Sequence, residues 1–305
     1  MAVTVIGPGV GTEGAARKAP PSGKWQAARR AILREPRRIV GAVIVAVFVL
    51  MAVVGPWLYP HRLAANANAI YAAPSLAHPL GTDFEGTDVL ALLLIGARYV
   101  LVSAAIAGAI AVVLGAAVGL VAGYLAGVTD WSLSRITDFA LTIPQYPLLV
   151  VLAAVVRFTS PVLIGVLLGV TSWAGLARAV RSQAFSLRER PYIEASRSLG
   201  LSTSHVIVRE MLPNIAPYVA MNLLVSVIGA IYAETGLFFL GVLPTSNVSN
   251  WGAMLNLAVF SAGAIGSTQA VAYLLSPLIA ILLLTLGIVF VLDAVDEFFN
   301  PRLRA

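Results

Sequence analysis

Long apolar runs alternate with short polar stretches along this chain. The runs lie at 39–60, then within 99–128, 136–156 and 158–177, and then at about 217–239 and 271–292. About 20 residues of helix cover the roughly 30 Å hydrocarbon core of a bilayer, so the pattern predicts an all-α polytopic membrane protein with six transmembrane helices. The first run is too long, and starts too far from the N-terminus, for a signal peptide. Between the fourth and fifth runs the pattern breaks. Ser186 to Glu210 carries seven formal charges: Arg188, Glu189, Arg190, Glu194, Arg197, Arg209 and Glu210. At roughly 3 kcal/mol per charge, placing them at the bilayer centre would cost on the order of 20 kcal/mol, so this segment stands in water.

The segment is more than a loop. Pro191 is suited to open a helix, Glu194 falls in its first turn, and Gly200 permits a left-handed stop. Ser202, Thr203 or Ser204 then caps a second short helix, and Leu212-Pro213-Asn214 breaks the chain before the fifth run. The prediction is a stiff elbow between two spans. On these residues alone it is either a connector or a docking element.

Composition narrows the class. The chain has 305 residues, 59% of them hydrophobic and only 11% charged, with a mean hydropathy of +0.90. It has no cysteine, which excludes disulfides, thiolate metal sites and a cysteine nucleophile. The three histidines, His61, His78 and His205, lie far from any metal-ligand spacing. No clustered catalytic groups appear, and no phosphate-binding G-x-x-x-x-G-K-[ST] loop is present. The net charge of +6 does not imply nucleic acid, because the basic residues have a topological explanation. With the N-terminal tail inside and six spans, 17 of the 20 Lys and Arg residues fall on the cytoplasmic side, and only Arg62, Arg98 and Arg157 fall outside. The positive-inside rule thus puts both termini in the cytoplasm and residues 61–97 outside.

The tail is Gly-, Pro- and Ala-rich to Lys24, and Trp25 to Arg38 reads as a basic helix on the anionic inner leaflet. The uncharged stretch Thr235 to Ala270 reads as the end of span five followed by an external loop with a candidate re-entrant piece. Span two carries small residues at every fourth position: Ala107, Ala111, Gly115, Gly119, Gly123 and Gly127. They serve either packing within the chain or an interface with a partner subunit. Glu234 is the one acid well inside a span. It either faces a pathway or is a hydrogen-bonded residue near the outer end of helix five. Arg135 and Asp138, three apart, read as a structural pair near the inner face. A secondary transporter would show paired broken helices or intramembrane ion sites.

"EASRSLG" at Glu194 to Gly200, followed at the right spacing by Leu212 and Pro213, resembles the EAA loop of ABC importer permeases: E-A-A, three residues, G, nine residues, I, one residue, L-P. Ser196 stands for the second Ala and Glu210 for the Ile. "HPLGTDFEGTDVL" from His78, with Thr87 where an Arg is usual, is similar to the external segment of the dipeptide, oligopeptide and nickel branch, C-type subunit. "REPRRIVGAVIVAVFVLMAVVGPWLYP", "LFFLGV", "NWGAML" and "DEFFNPRLR" resemble that branch in the same order.

The resemblance implies a type I ABC importer permease fold. Its parts are a basic tail at 1–38, a first helix at 39–60, an external segment at 61–97, a permease domain at 98–297 with a coupling loop at 186–213, and a cytoplasmic end at 298–305. It implies a heterodimer with a homologous permease and two cytoplasmic ATPases beneath. It also implies an external binding protein that delivers a di- or oligopeptide, with nickel or another small solute left open. This chain would hold no cofactor of its own, since ATP and Mg would sit on the ATPases. The coupling residues would be Glu194, Ala195, Arg197, Gly200, Leu212 and Pro213. Glu194 either caps its helix or meets a basic residue of an ATPase, Arg197 makes surface contacts, and Gly200 makes the turn. Glu234 is the pathway candidate.

Overall fold

The computed structural model describes residues 35–58, 65–155, 160–244, 250–261 and 270–299. The basic tail before Glu35, including nearly all of the predicted surface helix, and the C-terminal Pro301 to Ala305 lie outside the described residues. So do His61, Arg62 and Arg157. Among the described residues the fold is helical, with only an isolated bridge between Thr82 and Asp88.

The helices are α1 (Pro36–Leu58), α2 (Val89–Leu125), α3 (Gly127–Thr142), α4 (Gln145–Val155), α5 (Pro161–Arg188), α6 (Pro191–Ser198), α7 (Thr203–Phe239), α8 (Trp251–Ser261) and α9 (Val271–Phe299). By length and apolarity α1, α2, α5, α7 and α9 can each cross a membrane, and α3 with α4 supplies a sixth, bent crossing. The count of six agrees with the hydrophobic runs. The ends do not.

α2 starts ten residues before the predicted span because Asp88 caps it, its carboxylate accepting from Leu90 N–H at 2.9 Å and Ala91 N–H at 3.3 Å. The third span is not one helix: α3 and α4 meet at 82°. Pro144 keeps Ile143 out of the α region, at φ −82° and ψ 119°, and so splits the run. α5 runs on to Arg188, eleven residues past its predicted end. α9 likewise extends to Phe299 rather than 292.

Leu212-Pro213-Asn214 does not interrupt the chain either, and α7 begins at Thr203 rather than 217. Pro213 has no N–H, and its ring would meet the carbonyl four residues back. The helix widens instead into a π turn over Val206–Met211, with Leu212 N–H bonded to Ile207 O. In the 240–270 region, α8 is a short apolar helix, and the sequon at Asn247 lies outside the described residues.

The small-residue stripe packs α2 onto α5 inside the chain. A β-carbon on Gly119 would come within 2.5 Å of Ala177 O, and one on Gly123 within 2.5 Å of Ala184 Cβ. α5 reciprocates: a β-carbon on Gly165 would sit 2.6 Å from Ser103 O. Two backbones in contact gain dispersion over their whole length, the main attraction between helices in lipid. Gly127 is not part of the stripe. It lies beyond the end of α2 at φ 59°, after Ala126 at φ 54°, where the chain reverses into α3. α1 lies against α9, with Gly41 under Phe290 and Gly287 under Ile44. Arg38 of α1 pairs with Glu297 of α9.

Candidate functional site

The elbow predicted between the fourth and fifth spans is formed by α6, a glycine turn and the start of α7. Pro191 occupies the first turn of α6, where its missing N–H costs nothing. The helix ends by a two-bond reversal: Gly200 N–H reaches Arg197 O at 3.0 Å and Leu201 N–H reaches Ser196 O at 3.1 Å, with Gly200 at φ 73°. A β-carbon on Gly200 would meet nothing within 4 Å, so the backbone conformation, not crowding, selects glycine there. Ser202 caps α7, accepting from His205 N–H at 3.3 Å.

The elbow is seated on the bundle by its apolar side. Ile193, Val206 and Met211 are fully buried in a cluster with Leu120 and Tyr124 of α2 and Val180 and Ala184 of α5. The predicted coupling residues come together here. Glu194, Ala195, Arg197, Gly200 and Pro213 are exposed and Leu212 is half-buried. Arg197 does more than face solvent: its guanidinium stands 5.3 Å from the ring centre of Tyr124, at the end of α2. The outward face is apolar as well as charged. Leu199 is 79% exposed and Val208 57%, and Tyr192 is exposed too.

Beside the elbow, a cleft of about 500 Å³ opens between α2, α3 and α5. Its charges are largely paired across helices. Arg181 holds Asp130 through two nitrogens, one of them at 2.7 Å. The expected Arg135–Asp138 pair is replaced by Arg178 to Asp138 at 2.6 Å, while Arg135 lies over the Trp131 ring. Helical spacing alone favoured the neighbour on the same helix; α5 packed alongside offers a better-placed partner.

Glu234 sits near the other end of α7 and is fully buried. Its carboxylate accepts from the Ser103 hydroxyl of α2 and from Asn250 Nδ2 at 2.7 Å. Asn250 in turn caps α8, its Oδ1 accepting from Gly252 N–H at 2.7 Å. Trp251 donates its indole N–H to Leu93 O of α2 at 3.0 Å and meets Phe48 of α1 edge-on at 5.6 Å. A β-carbon on Gly252 would lie 2.6 Å from Thr235 O. "NWG" is thus a three-residue joint binding α8 to α7, α2 and α1. Ser103 has no signal in the sequence, and Asn250 and Trp251 enter there only within the "NWGAML" block, with no role attached. Only the capping habit of Asn before an apolar stretch pointed at any of them.

"LFFLGV" ends α7 by the same reversal as in the elbow. Gly241 is at φ 70°, with Val242 N–H on Leu237 O and Gly241 N–H on Phe238 O, both at 3.0 Å. "HPLGTDFEGTDVL" folds into a knot over the start of α2. Asp83 accepts from Glu85 and Thr87 N–H, and Asp88 meets His78 Nδ1 at 3.1 Å. Burial pushes the Asp83 carboxyl up, against those two bonds. Thr87 is buried and its hydroxyl serves Asp83.

Glu234→Gln is expected to keep the fold, since an amide oxygen still accepts from Asn250. Glu234→Leu leaves the Asn250 amide without its acceptor at a cost of roughly 1–3 kcal/mol, which should lower the melting midpoint of the purified chain by roughly 2–8 °C. Thermal unfolding of both variants in one detergent checks this. A glutamine variant as unstable as the leucine one would rule out the joint.

Residues 115–305 match the family model described as binding-protein-dependent transport system inner membrane component. Residues 23–78 match the N-terminal TM domain of oligopeptide transport permease C. The oligopeptide transport system permease protein OppC of Haemophilus influenzae is 31% identical over 236 residues, covering 76% of this chain and 75% of that protein. The dipeptide transport system permease protein DppC of Bacillus subtilis is 33% identical over 240 residues, 78% and 75% respectively. OppC of Escherichia coli is 32% identical over 235 residues, 76% and 78%.

Proposed function

The chain belongs to the binding-protein-dependent transport system inner membrane component family, and from that premise we propose that it forms half of the pathway of an ATP-driven importer for di- or oligopeptides. It is a membrane permease subunit. The other half of the pathway is a homologous permease, substrate arrives on an extracytoplasmic binding protein, and two ABC ATPases bind ATP and Mg on the opposite side. This chain carries no part of the hydrolysis. It lies in the bacterial cytoplasmic membrane with both termini inside. The arginines of the elbow support that orientation, because Arg188, Arg190, Arg197 and Arg209 all stand where the positive-inside rule places them in the cytoplasm. The peptide class rests on the relatives, two oligopeptide permeases and one dipeptide permease.

The observation that carries the reading is the elbow: a buried apolar seat on the bundle and an outward face that leaves Leu199 and Val208 uncovered. Leu199 and Val208, both exposed on a segment that stands in water, would be covered by a surface that seats in a groove of an ATPase. ATP closes the ATPase pair, and the elbow passes that movement to α5 and α7. A nucleotide shifts the membrane helices only through a difference in affinity between their states, and the elbow is where that difference enters.

The test is co-purification in mild detergent of the tagged chain, expressed with its gene neighbours. Wild type should bring down an ATPase. Leu199→Asp, which places a carboxylate on the docking face and disturbs no buried group, should lose at least tenfold of it while the permease yield stays constant. An ATPase retained at wild-type level by Leu199→Asp would remove the docking role.

A further inference from the structure

The elbow has a weak point. α6 meets α7 at the turn of Gly200, where the backbone lies open: a β-carbon there would meet nothing within 4 Å. Ile193 holds one side of α6 to the bundle. Nearly one turn further along the same flank of α6, the Ser196 hydroxyl donates to Glu210 Oε1 at 2.7 Å, fourteen residues along the chain. These are the two positions where the loop departs from the E-A-A and I-x-L-P pattern, Ser for Ala and Glu for Ile, and they meet each other. A hydroxyl facing a carboxylate at this distance forms a charge-assisted bond, stronger than the neutral kind. Glu210 is committed to it: its other oxygen, Oε2, is buried with no hydrogen-bond partner among the described residues. Glu210 also stands in the wide π turn, and Asn214 Nδ2 holds its backbone carbonyl at 2.6 Å.

We propose that Ser196 and Glu210 form a latch that fixes the coupling helix to the foot of α7, so that the elbow and α7 move as one body when the ATPases close. Both are positioning residues, and the proposal rests on the docking reading above. The two side chains are not equivalent. Ser196 keeps a second bond, to Tyr192 O at 3.0 Å, whereas Glu210 has no side-chain partner besides Ser196 among the described residues. Losing the serine therefore strands a partly buried carboxylate. Losing the glutamate strands nothing, and replacing both by apolar groups leaves no unmet polar atom.

The experiment uses the whole transporter in lipid, with its ATPases and binding protein. It compares Ser196→Ala, Ser196→Thr, Glu210→Ile and the Ser196→Ala/Glu210→Ile double. Hydrogen exchange of the α6 amides reads the latch, and ATP hydrolysed per Ala-Ala dipeptide imported reads the coupling. Ser196→Ala should speed exchange about five- to thirtyfold and raise the ATP cost of each dipeptide. Ser196→Thr should lie near wild type, while Glu210→Ile and the double variant lose the same bond without stranding a carboxylate and should each be looser than wild type but tighter than Ser196→Ala. Unchanged exchange in Ser196→Ala, or a double variant whose loosening equals the sum of the two single variants, overturns the latch while leaving docking intact, provided the ATPase still co-purifies. An ATPase absent even from wild type overturns docking, and with it any role for the latch in coupling; the exchange rates then report a bond that couples nothing.

Discussion

Gly119→Leu is expected to abolish the folded permease. A β-carbon there would sit 2.5 Å from Ala177 O, 2.7 Å from Val180 Cβ and 2.9 Å from Arg181 N. Two of those atoms are backbone and cannot rotate away, so α2 and α5 must part. Parting them also opens the contacts at Gly115 and Gly123, one helical turn to either side. Forcing a large side chain into a packed core costs about 1–3 kcal/mol even when neighbours yield, and here one residue disrupts three close approaches. The loss should exceed what a marginally stable domain tolerates. Size-exclusion of a fluorescent fusion should show aggregate in place of the wild-type peak. Gly175→Ala on the same α5 is the control, since a β-carbon there meets nothing within 4 Å. A monodisperse Gly119→Leu peak of normal height would mean that the α2–α5 contact is looser than its geometry.

Ile193→Asp is expected to leave the membrane helices folded and to abolish uptake. Ile193 is the fully buried residue of α6. A carboxylate in its place enters an apolar seat that includes Val180 and Val206, and leaves that seat for the nearby Arg197 guanidinium only by turning α6 outward, at a cost of several kcal/mol. α6 has eight residues, and its other holds, the Ser196–Glu210 bond and the Arg197–Tyr124 contact, lie at its surface, so it should unseat locally rather than take the bundle with it. Trypsin would then cut after Arg197 at concentrations that leave wild type whole, while the melting midpoint falls little. Peptide uptake should drop at least a hundredfold, because ATP hydrolysis no longer has a rigid lever. Normal uptake by this variant would show that the seat is dispensable.

What the chain's one-dimensional pattern reveals follows from what each feature depends on. Hydrophobic length is a local property, so the number of crossings could be read directly. The stop at Gly200 and the start at Pro191 are local too, and both are found where the residues place them. The break at Pro144 was also legible, since two prolines lie within "TIPQYP", but the apolar run masked it. Pro213 shows the opposite error: a proline ends a helix only if the helix cannot widen, and whether it widens depends on what packs around it. The partners of Glu234 lie 131 and 16 residues away, and Ser196 meets Glu210 across fourteen. Such pairings are set by how helices stack, which no local spacing contains. The blocks "LFFLGV" and "NWGAML" stand out in the sequence, yet their meaning, a helix stop and a joint, depends on helices that only the fold brings together.

The length of α2 carries a consequence for how the protein responds to the membrane around it. Its 37 residues span about 55 Å. Even at the roughly 40° upper end of tilts observed for membrane helices, the axis still rises about 42 Å, well beyond a hydrocarbon layer of about 30 Å. α7 has less to spare, because its start through the charged Arg209 and Glu210 stands in water. A bilayer that thickens or thins by a few ångströms therefore slides along the uncharged length of α2 that follows Arg98. The cost of mismatch falls instead on α1 and α7, which have little apolar length to spare. The seat of the elbow, Leu120 and Tyr124 at the far end of α2, is held on a strut long enough to stay indifferent to lipid composition.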